Sequence, residues 1–220
     1  MTRQVFAGIG PVFPGLLGAV REDVHALTGD GARPAVSGLV FLDPGDALRP
    51  LALAGELRTA LRGVPFYLPL VCRDANRTAL LGEARSAEVL GAGGLLLLAG
   101  RLEPGSRARA VYDLDPSQLL RYLREHGVGI DLWVAGRCET PAERGRLAAL
   151  SRAGAARCLV PWGAGEPAPD GAGLAAAAWV SETEWAAGTV PAGEGDLLLQ
   201  VGPGKGRAAR DLALRLRGDG

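Results

Sequence analysis

The residues able to do chemistry in this chain gather just after short apolar runs. Asp43 follows Val36–Leu42, and Cys72, Arg73, Asp74 and Asn76 follow Phe66–Val71. Gly100 and Arg101 follow Gly94–Ala99; Arg137, Cys138 and Glu139 follow Ile130–Ala135. Trp162 follows Cys158–Pro161, Ser181 and Glu182 follow Ala177–Val180, and Gly202 to Lys205 follow Leu197–Val201. Asp43, Asp74 and Glu139 are the carboxylates placed to give or take a proton. Arginines, the one asparagine and a glycine-rich turn suit an anionic, partly aromatic ligand better than an apolar one. Asp74, Asn76 and Trp162 are the candidate substrate contacts, Trp162 as a stacking face or as a cover for the site. Gly204-Lys205-Gly206 precedes a helical pattern, where backbone N–H groups can cradle a phosphate. Its spacing is not that of a P-loop, and a plain strand-to-helix turn is the alternative.

These positions need a scaffold, and the hydrophobic pattern supplies one. Eight short apolar runs alternate with stretches that place apolar residues every three or four positions. The strand candidates are those above, together with Val5–Gly10. The helix candidates are Gly15–Leu27, Asp46–Leu61, Arg77–Leu90, Pro116–Glu125, Pro141–Ala153 and Arg207–Leu216. Asp115-Pro116-Ser117-Gln118, Thr140-Pro141-Ala142-Glu143 and Ser181-Glu182-Thr183-Glu184 read as helix-start boxes. Thr140, Glu143, Ser181 and Glu184 are therefore expected to cap helices. The cadence predicts a compact (β/α)8 TIM barrel over residues 1–220, a single domain, with a doubly wound open sheet as the alternative. Gly163–Gly173 and the stretch around Gly188–Gly195 are too rich in Gly and Pro for full helices, so the later helices should be abbreviated. In such a barrel the site lies at the carboxyl ends of the strands, where the candidate residues fall.

Composition narrows the partners. Lys plus Arg and Asp plus Glu both number 24, so no net field draws nucleic acid or an acidic membrane. Apolar residues make up 48% of the 220, enough for a full core. Three widely spaced cysteines suggest reduced thiols in a cytoplasmic protein rather than a disulfide framework. They also make a poor zinc site, because Cys158 begins its strand while Cys72 and Cys138 follow theirs; no metal is expected. The apolar N-terminal stretch is broken by Gly and Pro, and no run is long enough to span a bilayer. His126 falls at a helix end, where it suits the dipole.

The block Val64–Leu123 resembles the middle of methylenetetrahydrofolate reductases. Cys72-Arg73-Asp74-Ala75-Asn76, the leucine-rich run into Leu98-Ala99-Gly100-Arg101, and Val111-Tyr112-Asp113-Leu114-Asp115 occur in that family's order. The resemblance implies a barrel flavoprotein of one-carbon metabolism and methionine synthesis. Such an oxidoreductase passes hydride from reduced nicotinamide through FAD to a methylene-folate. It implies cofactor contacts at Leu98, Ala99, Gly100, Arg101, Tyr112, Asp113 and Arg137. The departures are chemical. Arg101 stands where the family has an aspartate, and Arg137 where it has an aromatic. Gly10-Pro11-Val12-Phe13-Pro14 lacks the family's first-strand glutamate. Loss of a general acid costs roughly a hundredfold to ten-thousandfold in rate. Three functions therefore stand open: an FAD-dependent reductase of this type, a catalytically degenerate member that binds folate or flavin or joins a complex, and a phosphate-binding barrel enzyme. A protein partner or a second copy of the chain is open as well.

Overall fold

In the computed structural model eight parallel strands close on one another, β1 pairing with both β2 and β8. It describes residues 3–29, 34–42, 45, 47–61, 63–100, 109–111, 113–137, 140–161, 176–191 and 196–216. The strands are β1 (Val5–Ile9), β2 (Gly38–Phe41), β3 (Phe66–Val71), β4 (Gly94–Leu98), β5 (Asp131–Ala135), β6 (Arg157–Pro161), β7 (Ala176–Val180) and β8 (Asp196–Val201). The helices are α1 (Leu17–Thr28), α2 (Pro50–Glu56), α3 (Arg77–Leu90), α4 (Pro116–Glu125), α5 (Pro141–Arg152), α6 (Glu182–Ala186) and α7 (Gly206–Leu216). The expected compact (β/α)8 barrel is what forms, and its closure rules out the open sheet. Of the later helices α6 is abbreviated, with only five residues, while residues 163–173 and 192–195 lie outside the described ones.

One helix departs from expectation. The pattern from Asp46 to Leu61 yields a helix only over Pro50–Glu56. Pro50 fits a first turn alone, and its ring holds Arg49 extended (φ −62°, ψ 135°). The capping boxes form as read: Asp115 with Gln118, Thr140 with Glu143, and Ser181 with Glu184. His126 caps the end of α4, its Nδ1 2.8 Å from the Tyr122 carbonyl.

Alternation along each strand divides the core into two shells. Outward-facing residues such as Val5, Leu39, Phe41, Leu68, Leu97 and Val134 pack beneath the helices. Inward-facing Phe6, Val40, Tyr67, Leu96, Trp133, Leu159, Ala177 and Leu198 fill the barrel. At the amino end of the strands the filling is aromatic. Trp133 meets Phe6 edge-on at 4.9 Å and lies 4.3 Å from Tyr67. The Arg157 guanidinium sits 5.0 Å from the Phe6 ring centre and 5.1 Å from that of Trp133. It pairs with Asp196 and donates to Gln4 Oε1 at 2.7 Å. This plug closes one end of the barrel, so ligands must enter by the other.

Candidate functional site

The same alternation says what faces the open end. Paired residues share a face, so the register Gly8↔Gln200, Val71↔Leu98, Ala135↔Leu159 and Pro161↔Trp179 continues the inward set upward. Ala135 and Pro161 are exposed, and Leu98, Trp179 and Gln200 are half-buried. Solvent thus reaches a cup with an apolar floor, small on the β1 side (Gly8) and ringed by Trp179 on β7. Trp179 packs against the inner core, and its indole N–H has no partner among the described residues. On the rim, Phe13 is 46% and Val111 50% exposed.

The turn after β3 is built from its own residues. Cys72 is fully buried, and burial pushes its thiol up to about 12, which keeps it an inert thiol. The Arg73 N–H donates to Ala99 O (3.1 Å) and its carbonyl accepts from Val111 N (2.8 Å). These bonds tie the β3 turn to the loop that follows β4. The buried Arg73 guanidinium grips Asp74 in a fork, Nε to Oδ1 at 2.5 Å and Nη2 to Oδ2 at 3.0 Å. Arg49 approaches the same carboxylate at 3.4 Å. Asp74 is thereby a carboxylate shared between two guanidiniums. Behind it Glu83 on α3 is pushed up by burial and by Asp74, against the pull of Arg49. Asn76 caps α3, accepting from Ala79 N at 3.0 Å.

Asp113 is committed in the same way. It accepts from the Arg77 backbone N–H (2.8 Å), Nε (2.9 Å) and Nη2 (2.9 Å). That clamp joins the loop before α4 to the start of α3 and lowers the Asp113 carboxyl to about 2. Leu98, Ala99 and Gly100 lie at the mouth as expected, with Gly100 at φ 77°. A side chain at Gly100 would meet Arg73 Cβ at 3.0 Å, so the arginine turn and the loop after β4 are packed in register. Arg137 is exposed just beyond β5. Asp43, Arg101, Tyr112, Cys138, Glu139 and Trp162 lie outside the described residues.

After β8 the glycine turn has a different occupant from the phosphate suggested by its composition. Asp23 of α1, 7% exposed, accepts from Gly204 N (2.7 Å, Oδ2) and Gly206 N (2.8 Å, Oδ1). An internal carboxylate thus takes the two donors on which a phosphate cradle would rest, at the amino end of α7. Gly206 is needed there because an added Cβ would lie 2.7 Å from the Asp23 carbonyl oxygen. Lys205 is exposed and its backbone N–H bonds to Gly202 O at 3.2 Å. An open groove of about 540 Å3 runs beside this turn between α1 and α7, lined by Glu22, His25, Arg207 and Arg210 among others. It lies on the helical layer, away from the inward-facing strand residues.

Sequence reasoning assigned the stacking role to Trp162 and gave none to Trp179 or Gln200. Strict period two on β7 and β8, counted from the filled positions Ala177 and Leu198, would have found both. Glu182 was noted at the rim, and its side chain lies against Gly202. Metal ligation has no footing among the described residues, where no group of three His, Cys, Asp or Glu side chains converges. Nor is any described helix long and apolar enough to cross a membrane.

No protein-family model matches the chain, and neither does any curated protein sequence. Solved structures do match in fold. One is an uncharacterised protein from Clostridium thermocellum that binds two copies of 5-methyl-5,6,7,8-tetrahydrofolic acid. It is 10% identical with a TM-score of 0.65, over 99% of this chain and 94% of that one. N-acetylneuraminate lyase from Mycoplasma synoviae is 11% identical (TM-score 0.61, 98% of this chain and 72% of that one). Phosphoenolpyruvate phosphomutase from Streptomyces platensis subsp. rosaceus is 16% identical (TM-score 0.58, 98% and 81%). At these identities the likeness establishes the (β/α)8 fold, on which many chemistries occur.

Proposed function

We infer that the protein binds a reduced folate in the carboxyl-end mouth of its barrel, as a divergent relative of the methylenetetrahydrofolate reductases with altered catalytic groups. The observation that carries this reading is the mouth itself: inward-facing Ala135 and Pro161 reached by solvent above a buried apolar floor, beside half-buried Trp179, whose indole N–H has no partner among the described residues. A flat, hydrogen-bonding heterocycle fits that combination, and the exposed Phe13 and Val111 on the rim suit the aromatic middle of a folate. Two further observations support it. Within the block Val64–Leu123 the turn after β3 is bonded to described residues on both sides of the loop after β4, Ala99 and Val111. The folate-binding neighbour is similar over nearly its whole length.

Among the described residues the carboxylates beside β3 and α4 position rather than react. Asp74, held by Arg73 and Arg49, stiffens the mouth beside β3, and the Asp113–Arg77 clamp stiffens the loop before α4. An imine-forming barrel enzyme needs an amine facing its ligand. The chain's one lysine, Lys205, stands exposed at the start of α7 instead of at an inward-facing strand position. A flavin dinucleotide would supply hydride transfer if bound; of the positions read for its contacts, Arg137 is exposed, Arg101 and Tyr112 lie outside the described residues, and others are committed within the fold. Asp113 is given over to Arg77, and the N–H groups of Gly204 and Gly206 to Asp23.

Equilibrium dialysis of the purified chain against 5-methyltetrahydrofolate, with the absorption spectrum taken first, tests the proposal. Saturable binding of the folate by a colourless protein is the expected result. A yellow protein whose colour is bleached by reduced nicotinamide would instead make it an active flavin reductase. Absence of folate binding overturns the reading.

A further inference from the structure

The β7–β8 sector of the mouth holds a carboxylate that no contact among the described residues requires. Glu182 is the first residue of α6, yet the cap of that helix is completed by Ser181 and Glu184. Its carboxylate makes no hydrogen bond or ion pair among the described residues, although its side chain is half-buried. Its position is fixed by Gly202. On β8 the residues Asp196, Leu198 and Gln200 face inward, and Gly202, just past the carboxyl end of the strand, leaves the space of a side chain open. The Glu182 carboxylate occupies that space; a Cβ built on Gly202 overlaps it, with the carboxyl carbon 3.1 Å away. The glycine makes a notch and the glutamate fills it. Glu182 lies two residues past the end of β7, the strand that carries the inward-facing Trp179, so both belong to the β7 sector at the carboxyl end of the barrel.

We propose that Glu182 is the recognition group of the mouth, its two oxygens accepting a pair of N–H donors from the edge of the bound heterocycle while Trp179 lies against that heterocycle's face. The ligand class this selects is a fused 2-aminopyrimidinone, whose ring N–H and exocyclic amino group form a donor pair spaced for one carboxylate. Reduced folates carry that edge, so this inference rests on the folate reading and adds to it a residue and an orientation. The inner end of the ligand would be the pterin, and the outer end would pass the rim at Phe13. Gly202 acts as a positioning residue, keeping the notch open.

The test pairs two variants with two probes. Glu182→Gln keeps shape and fold but turns an acceptor into a donor. Gly202→Ala leaves Glu182 in the chain while its methyl displaces the flexible carboxylate. Calorimetry with 5-methyltetrahydrofolate should show affinity falling about tenfold to a hundredfold in each variant, with melting temperatures near that of the parent chain. With the parent protein, pterin should bind about tenfold or more tightly than lumazine, which has a carbonyl in place of the exocyclic amino group. Glu182→Gln should lose that preference. If the parent binds the folate and Glu182→Gln binds it equally well, or keeps the pterin preference, the inference is overturned while the folate reading stands. If the parent binds neither folate nor pterin, both fall together.

Discussion

Replacing Asp23 with alanine removes the acceptor for two backbone donors at the amino end of α7. Gly206 N is buried and Gly204 N partly so, at 2.8 Å and 2.7 Å from the carboxylate. Each donor left unsatisfied costs about 1–3 kcal/mol, the lower part of that range where water can reach. Loss of a negative charge at a helix start adds about 0.3–1 kcal/mol. The sum is about 2–5 kcal/mol, or roughly 5–15 °C in melting temperature for a chain of this size. Asp23→Asn keeps one acceptor and turns an amide N–H toward the other donor, so its loss should be smaller but clear. Urea denaturation of the parent and both variants, fitted with a shared slope, gives the numbers. The Asp23→Ala protein also gains an anion-sized gap with two free donors, so millimolar formate should restore part of its stability and leave the parent unchanged. A loss under about 1 kcal/mol in Asp23→Ala would show that the carboxylate does not hold the turn.

Arg157→Ala should cost about 1–3 kcal/mol in denaturant unfolding, because Asp196 would lose its guanidinium partner and keep the Gln4 N–H. Asn76→Ala removes the cap of α3 and should cost about 1 kcal/mol, with folate affinity unchanged if capping is its whole role. Asp113 titrates in the folded protein near 2, below the ordinary carboxylate value of about 3.9. Its contribution is present above the unfolded value and is lost as pH falls through the folded one. An NMR titration of the Asp113 carboxyl carbon should therefore show its midpoint near 2, and a midpoint of about 4 would mean that the Arg77 clamp is not formed.

The barrel was legible because strand and helix periods are written in apolar residues, and because caps such as Asp115, Thr140 and Ser181 are local chemistry. Pro50 shows the limit of periodicity, cutting a helix whose apolar spacing ran further. Strand-end residues were also legible as a set, but not what each side chain does. Asp74 and Asp113 looked available for chemistry and instead meet Arg73 and Arg77, pairings that depend on how neighbouring loops meet in space. Asp23 was invisible as the occupant of the glycine turn, since 181 residues separate it from Gly204. Trp179 was passed over because β7 is alanine-rich, so period two along it has no large apolar residue to start from until the register with β6 and β8 marks Ala177 as inward.

The proposed function requires the mouth around Trp179 to hold a reduced folate. The decisive experiment is a calorimetric titration of 5-methyltetrahydrofolate into the parent chain and into Trp179→Leu, which keeps apolar volume but removes the ring. Saturable binding in the parent, weakened about tenfold in the variant, is the expected outcome. No binding in the parent, or equal affinity in both proteins, would exclude that mouth as the folate site.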